Sequence, residues 1–426
     1  MRKMRDSGIE WLEEIPSHWE VMPNKRIMKK KKEICSQYQE EDILSLTMNG
    51  VIVRDLNAGG KMPTTFDGYQ RLTPGNLLMC LFDIDVTPRC IGLIKNEGLS
   101  SPAYSQFVVN EKGYAPYYYY YYLNLDHTKE LLHMAKNLRH SLTEDQLGEI
   151  GVAVPPYAEQ IRIVEALEER LPKVDTLIAN VKAQIEKLKA YKQSLITEVV
   201  TKGLDPTVPM KDSGLDWIGR IPAHWSKLRV KYIGNTQNGI SKGGEYFGSG
   251  YPFVSYGDVY KNMELPHSVA GLVESTDTER ENYSVQKGDI FFTRTSETIE
   301  EVGFSSVCTE TIEDATFAGF LIRLRPFNDA LTTQYAKYYF RGEHIRRYLV
   351  KEMNLVTRAS LGQGLLKAMT VLIPPHDEQI AIAEHLAGKC GQIDRLIAIK
   401  QAKIEKLEQY KKSFIYEYVT GKREVS

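Results

Sequence analysis

The chain writes one frame twice. "DSGIEWLEEIPSHW" (residues 6–19) returns as "DSGLDWIGRIPAHW" (212–225), 206 residues further on. "VPPYAEQI" (154–161) returns as "IPPHDEQI" (373–380), and "IEKLKAYKQSLITEVVTKG" (185–203) as "IEKLEQYKKSFIYEYVTGK" (404–422), both 219 residues on. Self-similarity at so long a period constrains the fold more than any local propensity, because each copy must build the same local structure. The order is short motif, large block, helical segment, then all three again. The difference of 13 between the offsets 206 and 219 puts an insertion inside the second large block.

The blocks between the repeats resemble each other only faintly. "TPGNLLMC" (73–80) lines up with "QKGDIFFT" (286–293), and "PAYSQFVV" (102–109) with "ATFAGFLI" (315–322). Short apolar runs bounded by Gly, Pro and Asn predict strands and turns. A helical stretch closes each block, at 117–137 and 335–353, so each is mixed α and β. Two constant helical frames thus separate two variable globular inserts.

Composition narrows the function classes. A chain of 426 residues is long enough for two or three domains, at roughly 100–200 residues each. Lys and Arg number 54 against 55 Asp and Glu, a net charge of −1, so any DNA footprint must be a local patch rather than bulk charge. No apolar run approaches the ~18 residues of a membrane span, and the basic start "MRKMRDSGIEW" has no apolar stretch behind it to make a signal peptide. Five scattered cysteines (Cys35, Cys80, Cys90, Cys308, Cys390) form no CxxC pair, which favours a reducing cytoplasm over a disulfide or zinc scaffold.

The helical segments carry a heptad seam. Val174, Val181, Leu188 and Leu195 form one seam position, and Ile178, Ile185, Lys192 and Val199 the other. The second copy supplies Ile393, Lys400, Leu407, Phe414 and Ile397, Ile404, Lys411, Tyr418. Apolar residues alternating at three and four make a coiled-coil seam. Lys192 and Lys411 hold the same seam position, which predicts that the two helices pack antiparallel so that each Lys escapes at a comparable point. The alternative is two amphipathic helices, each packed on its own block. Pro172 is expected to break or kink any helix entering from Glu159. The PPxxEQ motifs, with Glu159, Gln160, Glu378 and Gln379, read as helix starts. All four tryptophans (Trp11, Trp19, Trp217, Trp225) lie in the short motif and read as packing anchors, with His18 and His224 as satisfied structural histidines. The second long helix has no short motif after it, so residues 1–19 are expected to dock beside it in a quasi-circular chain.

The duplicated "SGxxWxxxIPxHW", "PPxxEQ" and "IEKLxxYKxSxI", in this order, resemble the conserved regions of the specificity subunit of type I restriction–modification systems. The resemblance spans the whole chain. It implies an α+β fold with two mixed α/β target-recognition domains, separated by two long helices that form an antiparallel coiled coil in a pseudo-two-fold, quasi-circular arrangement. The chain then divides into an N-terminal segment (1–19), a first recognition domain (20–154), a central helical region (155–225), a second recognition domain (226–373) and a C-terminal helical region (374–426). The resemblance further implies a non-catalytic, cytoplasmic subunit with no membrane partner. It would hold double-stranded DNA with a bipartite, asymmetric target and dock two adenine-N6 methyltransferase subunits, and through them restriction subunits. Frame and docking would rest on the tryptophans, the PPxxEQ pairs and seam residues such as Val181, Ile185, Leu188, Lys192, Ile404, Leu407 and Lys411. No cofactor or metal is implied for this chain; AdoMet belongs to the methyltransferase partner, and ATP and Mg²⁺ to the restriction partner.

Two unlike readers predict a split target, with half-site centres about one DNA turn (~10 bp) or slightly more apart. Base edges carry sequence, and phosphates carry position. In the second block "NGISKGGEYFGSGYPFVSYGDVY" (238–260) offers Lys242, Tyr246, Ser255, Tyr256 and Asp258. "FFTRTSET" places Arg294, Thr295 and Ser296 after a predicted strand, and Arg is the commonest specific reader of guanine. The match "KGDIFFTRTS" resembles the family there. The first block, "GNLLMCLFDIDVTPR", lacks that Arg, and Arg89 is the substitute. Lys61, Thr64, Thr65, Arg71, Arg139 and Arg358 complete the candidates. The basic run 29–32 reads as a solvated helix or loop face, and half of the rings in Tyr117–Tyr122 as core.

An enzyme reading fails on the residues. "VPPY" (154–157) approaches the [N/D]PP[Y/F] motif that holds a target nitrogen, but Val154 cannot accept its hydrogen bond, and the repeat "IPPH" loses the aromatic as well. There is no GxxxxGK[ST], HExxH or GxSxG. An autonomous DNA methyltransferase is therefore the lesser alternative. A coiled-coil scaffold binding only proteins would suit the near-neutral charge, but not the divergence of two blocks inside a constant frame.

Overall fold

The computed structural model describes residues 2–57, 63–135, 140–296, 302–352 and 359–425. It parts into two compact units, Met1–Lys182 with Ala402–Ser426, and Ala183–Gln401. Four helices matter below: α1 (Ala115–Thr128), α2 (Tyr157–Lys202), α3 (Thr333–Tyr339) and α4 (His376–Val419). Each unit holds one divergent block and a stretch of both long helices, α2 and α4. Among the described residues no helix is long and apolar enough to cross a membrane.

In the first unit, β1 (Met28–Lys31), β2 (Leu77–Met79), β3 (Ile91–Leu93) and β4 (Ser105–Val109) form an antiparallel sheet in the order β1-β4-β2-β3. Leu77, Leu78 and Met79 are all buried, as expected for an inner strand covered on both faces. Tyr117, Tyr118, Tyr121 and Tyr122 of α1 are also fully buried; the i, i+4 spacing puts 117 with 121 and 118 with 122 on the packed side of the helix. Three of the four residues of the basic run are strand rather than helix or loop, and Lys32 follows without regular structure. Lys29 to Lys31 lie in the edge strand β1, where Lys30 pairs with Glu144 and Lys31 bonds Thr73 Oγ1 at 2.7 Å. Charged residues on an edge discourage strand addition by another chain.

The second unit repeats this topology. Its strands β5 (Gly234–Asn238), β6 (Ile290–Thr293), β7 (Ser305–Val307) and β8 (Leu321–Pro326) are ordered β5-β8-β6-β7. Register corrects one alignment. Ser105 lies opposite Met79, whereas Ile322 lies opposite Phe292, so β4 matches residues four positions beyond the motif-based pairing. Phe320, matched by motif to buried Phe107, stands ahead of β8 and is exposed. The inserted residues can also be placed. The offset is 206 at Lys30 and Thr236, which face equivalent strand positions, and 213 at Leu77 and Ile290. Most of the growth thus falls between β5 and β6, where the second unit builds an extra sheet. In it residues 247–254 pair with Leu272–Val273 and Thr316–Phe317 over a core of Val254, Val259, Phe291 and Phe317.

The long helices pack on each other antiparallel, as the matched lysines predict. In the first unit Lys411 Nζ lies 2.6 Å from Asp175, and the Arg170 guanidinium lies over the Phe414 ring at 5.5 Å. In the second, Lys192 Nζ is 2.7 Å from Asp394, and Lys400 bonds Gln184 at 2.6 Å. Val174, Ile178, Val181, Ile185, Val199, Ile393, Ile404 and Phe414 of the seam are buried. Pro172 does not break α2, which runs 46 residues through it. Leu167, Leu171, Val174 and Ile178 are buried around it, and Pro172 itself is exposed. Burial on one side outweighs the ~3 kcal/mol that an interior proline costs, and solvent can reach the carbonyl left unbonded.

Candidate nucleic-acid interface

The frame motifs are side-chain locks, made the same way in both units. "DSG" builds a turn: Asp6 Oδ1 and Ser7 Oγ accept from the Gly8 and Ile9 amides at 2.9 and 3.0 Å, as Asp212 and Ser213 do from Gly214 and Leu215 at 2.8 and 3.1 Å. The hairpin that follows carries its histidine to the PPxxEQ glutamate. His18 Nε2 lies 2.8 Å from Glu159 and His224 Nε2 2.7 Å from Glu378, so both histidines are partnered although both are exposed. Arg2 also pairs with Glu159, and Trp225 Nε1 donates to Glu378 at 2.6 Å. Burial pushes the Glu159 carboxyl up, but the bonds from His18 and Arg2 outweigh it and hold it below the usual carboxylate range. The neighbouring glutamine closes the helix start. Gln160 accepts from the Tyr114 amide (2.7 Å) and donates to the Lys112 and Pro155 carbonyls (both 2.9 Å). Gln379 does the same with Thr332 (2.8 Å), Ala330 (2.9 Å) and Pro374 (3.0 Å).

Sequence reasoning missed a second pair of locks. Tyr117 donates to the Val419 carbonyl and Tyr335 to the Val200 carbonyl, both at 3.0 Å, in the last turn of a long helix. One turn on, Tyr121 accepts from Ala153 N (3.4 Å) and Tyr339 from Leu372 N (3.0 Å). Their common offset of 218 was the available signal. Each long helix then ends in a left-handed glycine, Gly203 (φ 76°) or Gly421 (φ 71°). A Cβ there would come within 3.3 Å of Trp225 or 2.5 Å of Pro16, so the short motif seats directly on the helix end. In the first unit this seats residues 16–19 of the N-terminal segment against the end of α4. Trp11 packs edge-on to Tyr121 at 5.4 Å, and Trp217 against Tyr348 at 5.0 Å.

Within this common frame the two blocks present different groups at one equivalent place. Arg294 follows β6; its carbonyl accepts from Leu361 N at 2.7 Å. Arg294 is half-buried, and its guanidinium has no bonding partner among the described residues. By contrast, Arg323, Arg325 and Arg341 are all engaged, by Ser284, Asp289 and the carbonyls of residues 259, 260, 262 and 305. In the first unit the matching backbone bond runs from Leu142 N to Leu81 O at 2.8 Å. Leu81 therefore stands where Arg294 does. Beside it a cavity of about 200 Å³ is lined by Phe82, Thr87, Arg89, Tyr104 and Met48, among others. Arg89 does face this place, with its guanidinium 3.4 Å from Tyr119 OH.

The other candidates fall into four sets. Ser255 and Asp258 form the capping box of helix Tyr256–Lys261, which commits their oxygens to the backbone; Tyr256 stacks on Tyr260 at 5.9 Å. Lys242 is ion-paired with Glu279 at 2.7 Å and Arg71 with Glu41 at 2.8 Å, while Tyr246 is exposed. Thr295 and Ser296 pair with Ala359–Ser360, and Thr64 and Thr65 are exposed. Lys61, Arg139 and Arg358 lie outside the described residues.

Residues 222–409 match the family model described as "Type I restriction modification DNA specificity domain". The likeness is to type I specificity subunits. The chain is 26% identical over 271 residues to the type I restriction enzyme EcoKI specificity subunit of Escherichia coli K12, covering 61% of this chain and 55% of that one. It is 25% identical over 274 residues to the MjaVIII specificity subunit of Methanocaldococcus jannaschii, covering 64% and 62%. These matches span less than two thirds of the length of either relative. In structure it is similar, at 15% identity, to a chain from work on complex assembly and conformational transition of the type I R-M system, with TM-score 0.71 over 95% of this chain and 98% of that one. The HsdS subunit from Thermoanaerobacter tengcongensis is 16% identical with TM-score 0.51, over 96% and 98%. At these identities the structures speak for the fold. The resemblance read from the repeats and the mixed α/β architecture with two long helices are both borne out.

Proposed function

We propose that this chain is the DNA sequence-recognition subunit of a type I restriction–modification complex and does no chemistry itself. The observation that carries this reading is the pairing of a twice-built frame with different groups at one equivalent place: half-buried Arg294 in the second unit, and in the first buried Leu81 with exposed Phe82 and half-buried Arg89 beside it. A frame that merely joined proteins would have no use for that difference. Each block reads one half of a bipartite, asymmetric target, and the antiparallel helices set the spacer. Two adenine-N6 methyltransferase subunits dock on the helices and bring AdoMet; restriction subunits join through them and bring ATP and Mg²⁺.

Repeated exposure on the helices supports docking of two equal partners. Leu177 and Leu396 are equivalent and each 48% exposed; Tyr191 and Tyr410 are equivalent and 58% and 47% exposed. Each lies one residue before a seam position, so within each unit the Leu of one helix and the Tyr of the other share a flank of the antiparallel pair, where charged residues are the norm. The test of recognition is selection from a random DNA pool by the chain assembled with its methyltransferase subunits. Enrichment of one split, asymmetric sequence supports the reading. A single contiguous site, or no enrichment above the chain-free control, refutes it.

A further inference from the structure

The extra sheet of the second unit turns an aromatic ribbon outward. Tyr246, Phe247 and Tyr251 are 41%, 43% and 39% exposed, with Leu272 at 38%. Gly248 and Gly250 take φ of 100° and 94°, and a bulge sets Phe247 and Tyr251 against the same residue, Val273. This concentrates the rings on one short stretch, and contiguous exposed apolar groups of this kind mark interaction surfaces.

Charge selects the occupant. The two cations of the ribbon lie beneath its rings and are already neutralised. Lys242 Nζ is 5.3 Å from the Tyr246 ring and pairs with Glu279 at 2.7 Å. The Arg280 guanidinium lies 3.6 Å from the Tyr251 ring, pairs with Asp277 and lies 3.7 Å from Asp314. Their side chains are only 17% and 12% exposed, whereas Asp277 and Asp314 are 98% and 66% exposed. Glu245, Glu274 and Glu281 are exposed as well. The outward charge of the ribbon is therefore negative. Among the described residues of the ribbon, a DNA backbone would meet rings, carboxylates and two cations already paired, so little would replace its counterions. A protein segment bearing Arg or Lys would lay its aliphatic stems on the rings, its charge over their faces, and its head groups against the carboxylates.

We infer that residues 245–251 and 272–281 form a docking surface for a basic protein segment rather than a DNA contact. The inference does not depend on what Arg294 reads. It is tested with the full-length chain and a labelled short peptide alternating Arg and Leu, against a Glu–Leu peptide of equal length. The methyltransferase-bound complex with its selected DNA target is measured in parallel. Tyr246→Ala with Tyr251→Ala, and separately Glu245→Lys with Glu274→Lys, should each weaken binding of the basic peptide about tenfold or more. Glu384→Lys on α4 should change it less than about twofold, and DNA affinity should hold in every variant. The charge-reversal pair, being exposed, keeps the test open if the aromatic variant unfolds. Peptide binding that is absent, or equal in all variants, overturns the inference. So does loss of DNA affinity in the aromatic variant with peptide binding unchanged, which would give the ribbon to DNA.

Discussion

On the proposed reading, specificity in the second block turns on Arg294. Its guanidinium, at a strand end, makes no bond among the described residues, and a bidentate Arg contact to guanine is worth ~1–3 kcal/mol of discrimination. Arg294→Ala should therefore relax or abolish recognition of one half-site by about 10- to 100-fold, measured by binding to targets varied at each position. An equal loss at both half-sites would point to misfolding instead. The place of Arg294 just past a strand was legible because "GDIFFTR" carries strand, end and Arg in order, and Asp289 of the same motif is buried against Arg325 at 2.6 Å. Ser255 and Asp258, two of the candidate contacts, form a capping box, and S-x-x-D is itself a capping signal. His344 was not legible at all. It is fully buried against Tyr339, neither ring nitrogen has a partner among the described residues, and burial pulls its pKa down to about 3. Unfolded, the ring titrates near ~6.5, so below that the unfolded chain binds the extra proton and stability falls with pH. The loss is on the order of 1 kcal/mol by about pH 5.5 and grows toward the folded pKa. His344→Gln should flatten the decline of the melting temperature between about pH 7 and 5; an unchanged slope would remove His344 from the account.

At the scale of elements, the heptad seam announced the antiparallel helices, and the two lysines announced their direction. The ion pairs they make are only half-buried, with Asp394 and Asp175 55% and 54% exposed, so each should contribute under about 1 kcal/mol. Asp394→Asn should accordingly lower stability by less than that. Lys192→Leu with Lys411→Leu should raise the melting temperature, because a polar seam residue fixes register at a cost in stability. A fall in the double variant would mean that the pairs matter more than the seam. Two element-level readings failed for the same physical reason, that packing overrides local signals. Pro172 alone predicts a break or kink, yet burial of Leu171 and Val174 carries α2 past it without a break. The motif alignment of the fourth strand slipped by four residues, because Phe107 and Phe320 look alike in sequence while register pairs Phe107 with Leu77 and Leu324 with Ile290.

At the scale of the whole molecule, the repeat told most of what there was to tell. The same turn, glutamate, glutamine and tyrosine locks recur because the same residues recur, and the divergent blocks still share one strand order. What the repeat hid is the surface: which arginines are already engaged, and which rings face outward, depends on partners brought together from distant parts of the chain. The first unit includes both the N-terminal segment and the end of α4, with Leu12, Ile15 and Trp19 in one core with Phe414, Ile415, Tyr418 and Val419. Removing residues 1–19 should therefore raise amide exchange across 410–423 by about tenfold or more and leave 183–401 protected. Unchanged exchange at 410–423 would contradict the role given to the N-terminal segment.

The most direct measurement is single-molecule methylation mapping of DNA from cells expressing this chain with a methyltransferase subunit, with controls that omit each in turn. The account predicts N6-methyladenine confined to one split, asymmetric motif, present only when both proteins are made, and altered in one half alone by Arg294→Ala. Methylation by this chain without a partner, or by the partner without this chain at the same sites, would contradict it.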